Sequence, residues 1–205
     1  MRGERKIIMV SRVLSAMFNP FYLPVIGLMA LFTFSYLNLL PVMYKLYVLM
    51  LVYIFTVLLP TIAIRTYRNY HGWTPIELGV KERRMIPYVI SIICYFLCYY
   101  VMNLVHIPRF MGSIVVAALV IQVLCAMINL WWKVSTHSAA IGGVAGALIA
   151  FSQLFMFNPV WWLCLVFFVA GLIGTARMIL RQHTLAQVVV GFLLGVVAAF
   201  IVILF

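Results

Sequence analysis

An all-α, multi-pass transmembrane bundle of six to seven membrane helices is the fold class that this sequence predicts, and three observations predict it. The chain is 67% hydrophobic. Its apolar residues fall in runs close to the ~20 residues that a helix needs to cross the hydrocarbon core of a bilayer. Charge is scarce and marks the ends of those runs: of 205 residues, 14 are Lys or Arg, 3 are Asp or Glu, and aspartate is absent altogether. Nothing is left over for a separate soluble domain, so residues 1–205 are expected to form a single transmembrane domain.

Taken in order, the apolar runs are 13–37, 44–64, 86–105, 111–131, 139–157, 160–174 and 188–205. The first holds Pro20 and Pro24. Proline kinks or breaks a helix, which leaves this run open between a full crossing and an interfacial piece. The opening residues, MRGERKIIMVSR, resemble the charged start of a signal peptide, but no small-residue cleavage site follows the apolar run, and the segment is expected to be retained. Between the runs lie Leu40 and Pro41, the polar stretch 65–84, His106 to Arg109, Lys133 to Ser138, and Asn158 and Pro159, each carrying the punctuation expected of a connection. The small residues of AAIGGVAGALIA, 139–150, together with Gly191 and Gly195, are read as close helix packing and carry no chemistry.

If every run crosses, one membrane face holds the N-terminus, 65–84, Lys133 to Ser138 and the stretch ARMILRQHTLAQ, and every base except Lys45 and Arg109 falls on it. The positive-inside rule makes that face cytoplasmic, and still does so when the candidate site bases are set aside. The expected location is a bacterial inner (cell) membrane. A formal charge of +11 would suggest nucleic acid in a soluble protein. Here the bases sit at helix ends and form no stripe on a solvated surface, so the expected partners are the bilayer and a lipid phosphate, with no nucleic acid. Cys94, Cys98, Cys125 and Cys164 lie inside apolar runs, where a thiol behaves as a small hydrophobe, and suggest neither disulfides nor metal.

Three polar clusters stand on that face. His137 is surrounded by Ser135, Thr136 and Ser138 where a membrane helix begins. Helix starts offer unpaired backbone N–H groups and a positive dipole end, a favourable place for an anion. His183 has Gln187 four residues on, close enough along a helix for the amide oxygen to accept from Nδ1–H and orient the ring as nucleophile or base. Arg177 and Arg181 precede it, themselves four residues apart, with no carboxylate nearby; an anionic ligand would supply the missing charge. Lys81, Arg83 and Arg84, before Pro87, form the third cluster, which is also what a juxtamembrane patch binding lipid head groups looks like. His71 and His106 fit an ordinary interfacial role.

Two histidines, several cations and a helix start describe a phosphate site with its own nucleophile and acid. A zinc site would want three or four ligands, and no cysteine motif or His-Glu pairing supplies them. Magnesium-dependent phosphoryl transfer would want carboxylates. A Ser-His protease built on Ser135 or Ser138 would lack the Gly-x-Ser-x-Gly elbow. No metal and no cofactor are expected.

In this arrangement the chain resembles the type 2 phosphatidic acid phosphatase superfamily, the integral-membrane lipid phosphate phosphatases. Their third motif reads Ser-Arg, five residues, His, three residues, Asp; Arg177, His183 and Gln187 keep the spacing, with Ala176 in place of serine and Gln187 in place of aspartate. Of their second motif, Pro-Ser-Gly-His, Val134 to His137 keeps Ser135 and His137. The first, Lys, six residues, Arg-Pro, is matched by Lys81, Arg84 and Pro87 over a shorter interval. The resemblance covers about residues 81–205. It implies that His183 attacks phosphorus to form a phosphohistidine and that His137 protonates the leaving alkoxide and then activates water. Lys81, Arg84, Arg177 and Ser135 would hold the phosphate oxygens, while Arg83 and Arg181 match no motif position.

Two departures follow. Gln187 can orient His183 but brings no negative charge to a developing imidazolium. Two apolar runs lie between the first and second motifs, where the family has one loop; a helical hairpin would return the chain to the same face. The expected function is therefore a metal-independent membrane phosphatase acting on a lipid phosphate or diphosphate. The alternative is a non-catalytic lipid-phosphate binding or transport protein on the same fold, and a purely structural bundle would leave three aligned clusters to chance. Phosphatidic acid, phosphatidylglycerol phosphate, a polyprenyl diphosphate and a phosphorylated glycolipid all fit the substrate description.

Overall fold

A computed structural model describes residues 2–72 and 81–205. Among them the chain is helical throughout, without a β-strand. The helices are α1 (Arg2–Met17), α2 (Leu23–Phe34), α3 (Val42–Tyr53), α4 (Leu59–Tyr70), α5 (Lys81–Leu104), α6 (Arg109–Asn129), α7 (Thr136–Phe155), α8 (Val160–Ile179) and α9 (Leu185–Leu204). Seven stretches of the described residues are long and apolar enough to cross a membrane, in agreement with the number of apolar runs in the sequence.

The run 13–37 is not one helix. Asn19 accepts a hydrogen bond from the Phe21 backbone N–H at 3.2 Å and caps a 3-10 turn that Pro20 opens, after which Pro24 sits in the first turn of α2. A missing N–H is harmless at a helix start and disruptive within one, so the two prolines divide the run. Pro60 is accommodated differently. The backbone widens to a π-helix over Ile54–Leu58, joining α3 to α4, and the wider turn makes room for the ring and for the hydrogen bond it cannot donate. The third run begins earlier than its apolar residues, at Lys81, with Pro87 inside α5.

Three helices, α5, α7 and α8, end on left-handed residues that are not glycine. His106 has φ 56°, Met156 φ 52° and Arg181 φ 52°. After each, the next backbone N–H reaches back to the helix: Ile107 to the Met102 carbonyl at 2.9 Å, Phe157 to Ser152 at 3.2 Å and Gln182 to Arg177 at 3.1 Å. These are Schellman closures, which satisfy carbonyls left over at a helix C-terminus. For His106 and Arg181 they supply a backbone role that composition alone did not suggest.

α7 packs against α2, α6, α8 and α9. Its contact with α9 is the closest in the bundle, because glycines remove the side chains between the two backbones. A Cβ on Gly142 would run into the Phe192 carbonyl, one on Gly146 into that of Val196, and one on Gly195 into that of Ala139. A Cβ on Gly191 would stand 2.7 Å from the Ser135 carbonyl. In a bilayer, where apolar side chains gain little by leaving lipid, such close approach is what holds helices together. The pairing of small residues expected from the sequence is present, and it aligns the starts of α7 and α9 side by side.

Candidate functional site

The polar residues gather where α7 starts, α8 ends and α9 starts. Ser135 is the N-cap of α7, with its Oγ accepting from the Ser138 N–H at 3.3 Å and from the Ser138 hydroxyl at 2.9 Å. That fixes His137 in the first turn of the helix. Ser135 is fully buried, so its hydroxyl stabilises the helix start, whatever else it contacts.

Gln187 is placed by a capping box. Thr184 is the N-cap of α9; its Oγ1 accepts from the Gln187 N–H at 3.4 Å, and Gln187 Oε1 accepts from the Thr184 N–H at 3.2 Å. The same Oε1 is 3.2 Å from His183 Nδ1. Because the backbone N–H of Thr184 identifies that atom as the amide oxygen, Nδ1 is the protonated ring nitrogen and Nε2 carries the lone pair. The His183 to Gln187 contact expected from their spacing therefore exists, although His183 precedes α9 instead of standing on it.

Arg177 lies in the last turn of α8 and donates from Nη1 to the Ser15 hydroxyl at 2.7 Å. His137 Nε2 donates to the Ser15 carbonyl at 3.1 Å, which leaves its buried Nδ1 as an acceptor with no partner among the described residues. Arg177 Nε is buried in the same condition. His183 and Arg177 are both close enough to His137 to act on its charge. His137, Arg177 and His183 thus form one group, and α6, α7, α8 and α9 contain no acidic residue to balance it.

The loops are tied to one another and to α5. The Ser135 N–H donates to the Gln187 carbonyl at 3.3 Å, joining the two helix starts. Asn129, buried at the end of α6, donates to the Tyr88 hydroxyl at 2.9 Å and to the Cys125 carbonyl at 2.7 Å, while its Oδ1 accepts from the Val134 N–H at 3.3 Å. Tyr88 stands two turns into α5, so this network anchors the His137 loop to the helix that begins at Lys81. The hairpin between the first and second sequence clusters does return the chain to one end of the bundle.

Other expected residues fare differently. The side chains of Lys81, Arg83 and Arg84 lie outside the described residues. Arg181 is not a helical neighbour of Arg177: α8 closes before it, and its exposed side chain follows a left-handed backbone. Ser15, Asn129 and Tyr88 were not picked out from the sequence. Ser15 belongs to a helix distant in the chain, and only folding brings it to Arg177. Comparisons with protein-family models, with curated proteins and with solved structures find no match for this chain.

Proposed function

We propose that this protein is a metal-independent lipid phosphate phosphatase of the type 2 phosphatidic acid phosphatase kind, working through a phosphohistidine on His183. The reading is carried by the convergence of three helix ends, which bring an oriented His183, the proton-bearing His137 and a buried Arg177 together with no acidic residue in the four helices around them. A group of cations and donors without a built-in anion suits a phosphate dianion.

In the proposed reaction Nε2 of His183 attacks phosphorus. His137 acts as the imidazolium, the bound phosphate dianion favouring a second proton on Nδ1; as the bond from phosphorus to the lipid oxygen breaks, Nε2 gives its proton to the departing alkoxide and the ring is left neutral. His137 then takes a proton from water as that water attacks phosphorus, the P–N bond breaks, and orthophosphate leaves. Arg177, with Lys81 and Arg84 at the start of α5, would hold the phosphate oxygens, and Gln187 would keep Nδ1 of His183 protonated. Ser15 now accepts from both His137 and Arg177, so the substrate phosphate must displace it, and the two Ser15 oxygens stand where phosphate oxygens would. The active face is proposed to be cytoplasmic, in a bacterial inner membrane.

Purified protein in vesicles should release phosphate from a panel of lipid phosphates and diphosphates, with His183→Ala lowering the rate by about 10³-fold or more and chelator leaving it unchanged. Parent-level release by His183→Ala would sink the proposal. A second reading, binding or transport without turnover, is favoured by one observation: Gln187 brings no charge to His183, and its amide oxygen is shared with the capping box. That reading expects saturable binding of a lipid phosphate and no release.

A further inference from the structure

A cavity of about 320 Å³ lies between α2, α6, α7 and α8. It begins beside the candidate site, where Thr136, the neighbour of His137, and Pro20 help to line it. At its far end are Phe151, Phe157 and Trp162. From Thr136 to Phe151 is about 22 Å along α7, so the cavity is an elongated slot running along that helix. Its walls are almost wholly apolar, which disfavours water, since a buried water needs two to four polar partners. The slot is not sealed: it is partly open to its surroundings. In a bilayer, the material at hand to fill it is hydrocarbon.

One place in the wall is polar. Gln122 and Tyr95 both line the slot; Tyr95 is fully buried, with the Gln122 side chain beside its hydroxyl and no well-formed hydrogen bond to it. Gln122 is seven residues before Asn129 on α6, which puts it about 10 Å below the level of the candidate site. Buried polar groups are rarely left unsatisfied, and a phenol and an amide at this depth can both donate to a carbonyl oxygen. An acyl ester just below a phosphate head group carries such an oxygen at about such a depth, while a prenyl or alkyl chain does not.

We propose that this slot binds one ester-linked acyl chain of the lipid whose phosphate meets Arg177 and His137. The assignment rests on the reading of that site as a lipid-phosphate site, and it narrows the substrate class to acylated lipid phosphates.

The test uses the full chain in vesicles of ether-linked phosphatidylcholine and a lysophosphatidic acid with a photoactivatable diazirine at the end of its acyl chain. Photolysis should place adducts on Phe151, Phe157 or Trp162. Ala147→Phe, which narrows the slot midway, should reduce them tenfold or more while leaving adducts on the outward-facing Phe168 and Val197. Val166→Trp narrows it from α8 should the first variant not fold. An ether analogue of the probe should label the slot several-fold less, and Tyr95→Phe should bring the ester probe down to that level. Adducts confined to outward-facing residues, or slot adducts unchanged by either narrowing variant, would overturn the proposal, as would equal labelling by ester and ether probes. His183→Ala separates the two readings. Slot labelling that persists in this variant supports the cavity whether or not the parent releases phosphate, and phosphate release without slot labelling removes the cavity alone.

Discussion

At the scale of single residues, Gln187 carries the most information. Its spacing from His183 suggested a helical pair, but the sequence also contains Thr184, two residues, Gln187, which is the pattern of a capping box, and the structure uses it as one. A glutamine is thus explained locally by the start of α9, and its neutrality need not mark lost catalysis. The same geometry identifies a better substitution than aspartate. Glutamate has the length to keep both bonds at the cap and would add a charge 3.2 Å from His183 Nδ1, at a helix N-terminus that favours anions. Gln187→Glu is therefore expected to raise phosphate release about tenfold with little change in thermal stability, because a carboxylate stabilises the imidazolium side of the reaction. Gln187→Leu should lower both, with a loss of about 1 kcal/mol from the broken cap. Unchanged turnover in a well-folded Gln187→Glu would mean that charge on His183 does not limit the reaction, whereas no release from either the parent or Gln187→Glu would favour the binding reading. Ser15 shows the limit at this scale: nothing in its own neighbourhood marks it, and its importance comes entirely from what α8 and α7 bring to it.

At the scale of elements, much of the architecture could be read in advance, because each crossing is a run of apolar residues whose length the bilayer sets. What could not be read were the helix ends, since these depend on backbone closure more than on hydropathy. Arg181 illustrates this. Four residues after Arg177 it would share a helix face, yet the helix closes at Ile179 and the arginine becomes the left-handed residue of a Schellman turn. The run 13–37 was divided at its prolines, and Pro60 was tolerated because a π-turn precedes it, a distinction that the bare presence of proline does not make. The α7 to α9 contact makes the strongest demand. Gly195 faces the Ala139 carbonyl with no room for a Cβ, and the same contact sets Ser135 against Gln187. Gly195→Ala should push the helices apart, lowering stability by about 1–3 kcal/mol, as overpacking does, and reducing activity beyond the stability loss because the two helix starts lose register. Thermal unfolding with parallel turnover measurements checks both effects. Gly171, whose Cβ would meet nothing within 4 Å, is the control and should accept alanine without cost.

For the whole molecule, the side of the membrane that the site end faces depends on which bases stand at that end. α1 lies along α8: a groove between them is lined by Lys6 and Val10 on one side and by Phe167, Thr175 and Ile179 on the other, so the basic start of α1 stands partway down α8, away from the site end. Its bases should not be counted there without qualification. Of the remaining bases, Arg65 and Arg68 lie near the end of α4, and Lys133, Arg177 and Arg181 at the site, with α5 opening on Lys81, Arg83 and Arg84. Lys45 and Arg109 begin α3 and α6 at the opposite end. Translocating a base costs free energy whether or not it later binds a ligand, so the site bases also resist export, and the site end is expected to be cytoplasmic. The free cysteines permit a direct test: Cys94, Cys98 and Cys125 are buried and Cys164 alone is exposed. In a Cys164→Ser background, Leu39→Cys and Tyr70→Cys place single exposed thiols at opposite ends of the α3 to α4 helix, at positions 90% and 86% exposed. In intact cells a membrane-impermeant maleimide should label Leu39→Cys and reach Tyr70→Cys only after permeabilisation. The reverse pattern would turn the candidate site outward, and with it the supply of substrate from newly made lipids to those recycled at the outer leaflet.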